Sequence, residues 1–508
     1  MMNTIWFKSI LLTLFMLPIL GILVVADHGR VAQAQTETTT PDPVALGPNC
    51  RYGVTDTGAN EILPEIGVGW TLSFRVANAT YPNNIEKAQI VRFKPQGSNG
   101  YVVVSPTNGF AGLDSLIASK PGSLWLIGNE VDRKDVQDDL YPEAYARAYH
   151  DTYYYIKQRD ATARIAVAGL VRVSAGRLQY LDLVWDNYQR LYGQKMPVDV
   201  WNMHAYNIAE LNGEGGDGAA AVANGTDPGL ALRYLAPGEN VAACNLPEVV
   251  CFMEEDDPQA FADQVVAMRQ WMKNKGEQNK PLIISEYSIL APYNPADGFL
   301  QDENGNSFVP ERVVQFLQAT YGYLEGAADP ELGYPADNNR LVQQWMWYTT
   351  IEENPDYVGS SSAFVNPFSL TLNQIGAAHR DWVAARPLAT NLIMDRVDGG
   401  AGVVKPPGVT GSASIYVRVR NNGNTLTTSN TAVFIRDADG NNLGTAQVAP
   451  GVGGCGMDTG TAVFTINNLP PGFHTFTAHI QNSNAPEKVG SATVFIGSDQ
   501  LFLPIMQR

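Results

Sequence analysis

The spacing of hydrophobic positions changes once along this chain. Up to about residue 386, short apolar runs introduced by Pro or Gly alternate with longer stretches whose apolar positions recur at helical spacing; beyond Pro387 the period drops to two. The short runs predict strands over 51–54, 68–76, 88–93, 124–127, 163–170, 198–203, 282–286 and 341–348. The longer stretches predict helices over 60–66, 113–119, 142–158, 177–192, 260–275, 310–324 and 373–385, two of them opening on Pro. The run Tyr101-Val102-Val103-Val104 follows the third strand too closely for a parallel crossover and is expected as a hairpin excursion. Alternation of this kind predicts an α/β fold, a (β/α)8 TIM barrel of parallel strands. The period-two segments 414–420, 432–436, 462–466 and 475–480 predict a small all-β immunoglobulin-like sandwich behind it. The expected domains are a leader over 1–34, a Thr/Pro-rich lead-in over 35–48, the barrel over 49–386 and the sandwich over 387–508.

Two of the apolar runs end alike. Leu124-Trp125-Leu126-Ile127-Gly128-Asn129-Glu130 and Lys280-Pro281-Leu282-Ile283-Ile284-Ser285-Glu286 each deliver a carboxylate to the C-terminal tip of a buried strand, where barrels place their chemistry. The alternative for Asn129 and Glu130 is a helix cap. Two such carboxylates are what a glycosidase requires, one protonated to donate to the leaving oxygen and one ionised to attack the sugar carbon. Between them, His204-Ala205-Tyr206 presents two polar aromatics on one side of a strand end, placed to hydrogen-bond a carboxylate and lower its pKa; the alternative is a satisfied core His and Tyr. Trp347, near the tip of the last barrel strand, is the expected stacking platform for a sugar, with Trp345 in the core and Trp70 as a second wall. Arg92 either enters the pocket or pairs with a structural Asp.

Composition narrows the partners. With 17% charged and 45% hydrophobic residues the chain is globular, and a formal net charge of −17 argues against nucleic acid and anionic membrane surfaces and fits a neutral sugar. Lys8, the apolar run 10–26 and Ala32-Gln33-Ala34 read as a signal peptide for a secreted or cell-surface protein, with an uncleaved anchor as the alternative. Four cysteines suit an oxidising compartment: Cys244 and Cys251 bracket a short loop and are expected to pair, while Cys50 and Cys455 either pair or stay free. The six histidines and the cysteines show no metal-ligand spacing, so neither metal nor cofactor is expected. Asp437-Ala438-Asp439-Gly440-Asn441 lacks the distal Glu of a calcium loop and reads as a turn. No Gly-x-Ser-x-Gly elbow is present. The sandwich has no aromatic row, which favours a spacer or protein contact over glycan binding, with surface attachment a further role.

Taken in order, Gly-Asn129-Glu130, Asp199 with His204-x-Tyr206, Ile-Ile-Ser-Glu286 and Trp-x-Trp347 resemble the clan-A glycoside hydrolases, most closely the small glucanase-like families, over about residues 50–386. Val131, where many relatives carry Pro, and the long insertion over 207–257 depart from that pattern. The resemblance implies net retention, with Glu130 as acid/base, Glu286 as nucleophile, Asn129 on the sugar 2-hydroxyl, and Tyr206 or His204 holding Glu286. It predicts carboxyls about 5 Å apart, against about 8 Å for inversion. Glu130 is expected to have the higher pKa of the two. The insertion and the Trp walls suggest an open cleft and a polysaccharide substrate. The alternative is a non-catalytic glycan-binding or envelope protein that keeps the barrel.

Overall fold

In the computed structural model, residues 46–134, 136–211, 219–294, 298–400 and 408–497 are described. The expected leader, most of the lead-in and the closing apolar stretch 501–505 lie outside them.

Eight strands form the barrel: β1 (Asn49–Thr55), β2 (Val68–Leu72), β3 (Glu86–Gln96), β5 (Leu124–Ile127), β6 (Arg164–Val167), β7 (Trp201–His204), β8 (Leu282–Tyr287) and β9 (Gln344–Trp347). They pair in parallel in the spatial order β6-β5-β3-β2-β1-β9-β8-β7. The ring nearly closes between β6 and β7 through the single parallel bridge Ala166–Val200 and the Val167 N–H to Val200 carbonyl bond of 3.3 Å. β4 (Gly100–Ser105) folds back antiparallel on β3, because the few residues between them cannot make a crossover. The strands are short, ending within a residue or two of where their buried apolar runs end; 68–76 and 163–170 were expected to be longer.

The helices start where local chemistry allows. α3 (Pro142–Lys157) opens on Pro, whose missing N–H is no loss in a first turn. α4 (Ala175–Tyr192) is capped by the Ser174 hydroxyl, which accepts from Arg177 N–H, and stops at Gly193 with φ +66°. α5 (Pro258–Asn274) and α7 (Gln374–Ala384) are capped by Asp257 and Asn373, while α6 (Pro310–Gly326) again opens on Pro. Together with the short α1 (Leu63–Ile66) and α2 (Asp114–Ser119) they cover the ring. No helix among the described residues is long and apolar enough to cross a membrane.

Strand alternation sorts two cores. Trp125, Ile127, Trp201, Met203, Ile284, Tyr287, Trp345 and Trp347 face outward to the helices, while Trp70, Leu72, Leu124, Leu126, Ile283 and Met346 fill the barrel interior.

Past the barrel lie two antiparallel sheets. β10 (Leu392–Gly399), β11 (Gly411–Asn421) and β14 (Thr459–Leu469) form one; β12 (Thr431–Arg436), β13 (Asn442–Val448), β15 (Gly472–Ile480) and β16 (Val489–Ile496) form the other. Alternate residues of both, such as Ile415, Val417, Val433 and Ile435, share one core. The loop after β13 brings Cys455 and Met457 into the interior cluster at the N-terminal mouth of the barrel, where Cys455 is bonded to Cys50 of β1. Arg51 bridges the same junction, with Nη2 reaching Asp337 at 2.7 Å and the Asn422 carbonyl at 3.4 Å.

Candidate active site

Counted along the barrel without β4, Glu130 follows the fourth strand and Glu286 lies on the seventh. Glu130 continues the inward phase of Leu124 and Leu126, on a loop in which Gly128 has φ +96° and Glu130 itself φ +42°. That backbone is unusual for a side chain with a Cβ, and the bond from Glu130 N–H to the Gly169 carbonyl (3.0 Å) holds it there. On β8 simple alternation from Ile283 would turn Glu286 outward. A register shift between Ile284 and Glu286 against β7 changes the phase, so that Ser285 and Glu286 both reach His204, while Tyr287 packs among the outer aromatics.

His204 sits between the two carboxyls. Its Nδ1 lies 3.2 Å from Glu130 Oε1, and its Nε2 lies 3.1 Å from Ser285 Oγ and 3.5 Å from Glu286 Oε1. Tyr206 donates to Glu286 Oε2 at 3.1 Å, and Arg133 Nη1 donates to Glu130 Oε2 at 3.1 Å. Carboxylate oxygens of Glu130 and Glu286 and a ring nitrogen of His204 all lie within 4.8 Å of one another. That spacing would admit a cation. Taking it up would break the imidazole–carboxylate contact and bring the ion close to the Arg133 guanidinium; the cluster is built as ion pairs and does not fit a resident metal.

The protons are distributed against expectation. Burial alone would raise Glu130, but the His204 hydrogen bond and the Arg133 charge outweigh it and hold this carboxyl well below the usual range. Burial raises Glu286, and the nearby Glu130 charge adds to it against the opposing charge of His204. Burial would lower His204, yet the two carboxylates raise it above its ordinary value. The free site therefore keeps Glu130 ionised and the carboxyl proton on Glu286, the reverse of the expected order. Both carboxyls are buried, with Glu130 2% and Glu286 5% exposed.

The remaining expectations divide. Asn129 is buried beside Glu130, its amide donating to Gln137 Oε1 at 3.2 Å and its backbone N–H to Asp138 Oδ2 at 3.0 Å. Arg92 resolves to its structural alternative, pairing with Asp138 at 2.6 Å and donating to Gln137 at 2.8 Å, although its charge is still felt at Glu286. Trp347 is not a sugar platform. It points out of the ring, stacks on Phe364 and donates from Nε1 to the Ser362 carbonyl at 2.8 Å. Trp70 faces inward but lies fully buried in the interior cluster shared with Cys455 and Met457. The aromatic that does reach the site is Tyr348, one residue further and therefore on the opposite face from Trp347, with Tyr206 and Phe74 as neighbours. Sequence reasoning missed Tyr348, Arg133 and Ser285. Alternation would have found the first, and a three-residue offset from Glu130 the second. Behind the site Asp132, Arg177 and Glu210 form a buried ion cluster, with Arg177 2.8 Å from Asp132 and 2.6 Å from Glu210. Cys244 and Cys251 are disulfide-bonded in the insertion.

A parallel barrel with two carboxyls meeting at its C-terminal rim is thus defined by geometry. No protein-family model matches the chain, and no curated protein sequence matches it. Among solved structures, a glucosidase from Croceicoccus marinus aligns at 9% identity over 84% of this chain and 98% of its own, with a TM-score of 0.43. A monomeric beta-xylosidase from Caulobacter crescentus aligns at 11% over 84% and 98%, TM-score 0.40. A beta-glucuronidase from Bacteroides uniformis aligns at 14% over 90% of this chain but 46% of its own, TM-score 0.37. These neighbours are glycosidases, and at this level of likeness none of them bears on what this chain acts on.

Proposed function

We propose that this chain is a retaining β-glycoside hydrolase of clan-A type acting on a polysaccharide or oligosaccharide. One observation carries the reading: Glu130 and Glu286, from opposite sides of the ring, bring carboxylate oxygens within 4.8 Å. Retention needs a separation of about 5–5.5 Å, whereas inversion leaves about 6.5–9.5 Å for a water. In the first half-reaction Glu286 attacks the anomeric carbon, the glycosidic C–O bond breaks, and the proton of Glu130 passes to the leaving oxygen. In the second, water attacks that carbon, Glu130 takes a proton from the water, and the glycosyl–Glu286 ester bond breaks.

The free site holds its proton on the other carboxyl, so substrate binding must first redistribute it. His204 supplies the route: in its neutral form with the proton on Nδ1, Nε2 accepts the proton of Glu286 while the Nδ1 proton passes to Glu130. Two disulfides among the described residues and the expected leader over 1–34 support export to an oxidising compartment. The three-plus-four antiparallel sheets support an immunoglobulin-like reading of the C-terminal domain.

The test is reducing-end release from mixed glucans, mannans and xylans, with the product anomer followed by NMR. Release with retention by wild type, lost in Glu286→Ala, is expected. Glu130→Gln is expected to retain far more activity on activated aryl glycosides than on polysaccharide, because a good leaving group needs little proton donation. Near-complete burial of both carboxyls favours a second reading, a glycan-binding barrel without turnover. Retained binding with no release by wild type would establish that one instead.

A further inference from the structure

Arg133 is the residue of this site whose chemistry is left over. Among the described residues its guanidinium makes one hydrogen bond, from Nη1 to Glu130, while Nε is buried without a partner and Nη2 makes none. Arg177 and Arg269 are fully committed, to Asp132, Glu210 and the Ala221 carbonyl and to Leu341, Lys280 and Gln343, whereas Arg172 and Arg340 also leave Nε without a partner; of these three, Arg133 is the one bonded to a carboxyl of the site. Nε is the donor shut away from water, where an unpaired charged group is costly, while Nη2 is not buried and is open to a ligand. The Arg133 side chain is 21% exposed, so the group is not sealed off. Across the same cluster Glu286 Oε1 also lacks a hydrogen bond.

The Nε–Nη2 edge is the side of a guanidinium that takes a planar carboxylate through two parallel bonds, and here Nη2 is its accessible end. We propose that the substrate is a hexuronate-containing glycan, and that a carboxylate on one of the two sugars flanking the scissile bond takes this edge of Arg133, an inference that rests on the glycosidase reading of the same site. A neutral hydroxyl would accept a hydrogen bond there but would leave the Arg133 cation uncompensated once its partner Glu130 is protonated. A carboxylate compensates it and places a negative charge near Glu130, which draws the proton onto the residue that must donate it. The charged groups around Glu130 are Arg133 and Asp132 from its own loop, His204 from β7 and Glu286 from β8, with the charge of Arg92, paired to Asp138, felt at Glu286. The net charge of −17 opposes an anionic sugar at long range. That repulsion is screened beyond about 8 Å at physiological ionic strength, so the contact decides.

The experiment uses the full chain and two substrate series that differ in one group: hexuronate-containing oligosaccharides and the same oligosaccharides after carboxyl reduction. Binding is measured by calorimetry on Glu286→Gln, alone and with Arg133→Gln or Arg133→Lys, and kcat/KM on the wild type and the two Arg133 variants. The acidic series should bind about tenfold tighter or better, as expected for a charge-assisted pair. Arg133→Gln should erase that ratio, and Arg133→Lys should keep part of it. Equal affinity for the two series, no binding of either, or a preference that survives Arg133→Gln overturns the inference. Hydrolysis of neutral glycans without acidic preference leaves the glycosidase reading standing and this one fallen. Absence of hydrolysis with a binding ratio that depends on Arg133 fells the glycosidase reading and leaves only the contact between Arg133 and a sugar carboxylate.

Discussion

A carboxyl that stays protonated in the folded chain but ionises in the unfolded one makes stability fall as pH rises. Glu286 is such a group, raised from 4.5 to about 7 by burial and by Glu130. Its contribution is complete below about pH 4.5 and is lost as pH climbs through about 7, on the order of 1 kcal/mol per pH unit inside that window. Glu130 has the opposite sign: its stabilisation is present above its ordinary value and is lost as pH falls below it. Glu286→Gln should therefore flatten the decline of Tm between pH 5 and 7 while leaving the acid limb in place; parallel curves for the two proteins would contradict the proton distribution described here. Tyr206→Phe deletes the hydroxyl that stabilises ionised Glu286. The acidic limb of its kcat/KM profile should move to higher pH and its rate should fall by about tenfold, with little change in Tm.

At the level of the element, the chain announced its strands and helices but not every face they present. Glu130 and Glu286 were legible because a buried apolar run ending in a carboxylate is rare without a reason. The Trp347 platform failed by one residue: alternation from the inward Met346 puts Trp345 and Trp347 outside and Tyr348 inside. Tyr348→Ala should accordingly raise KM with modest loss of stability, whereas Trp347→Ala should cost about 3–5 kcal/mol of stability from its place in the outer core. The irregularity in β8 was illegible, since which residue of Ser285, Glu286 and Tyr287 is turned depends on pairing with β7 and not on local sequence. Three sandwich strands, Leu392–Gly399, Asn442–Val448 and Val489–Ile496, also went unseen, the middle one because its exposed, polar sequence carries little alternation. Gly169 tests the element scale directly. A Cβ there would overlap the His204 ring, so Gly169→Ala should displace the imidazole and impair both carboxyls together. Loss of activity with a changed pH profile is expected, measured beside a thermal melt to exclude general unfolding.

For the whole molecule, the C-terminal sheets are not a detachable appendage, because Cys455 and Met457 complete the interior of the barrel. Truncation near residue 386 should expose that interior and give insoluble protein. Cys455→Ser should lower stability by about 2–5 kcal/mol in denaturant unfolding while the sandwich stays docked through Met457 and Arg51; an unchanged midpoint would show that the bond adds nothing to the packing. The same link joins two positions 405 residues apart, so most of the chain lies within one covalent loop. A protease that severs any single exposed turn inside that loop leaves both pieces tethered. The nicked protein should travel as one band on a non-reducing gel and separate into two only after thiol treatment.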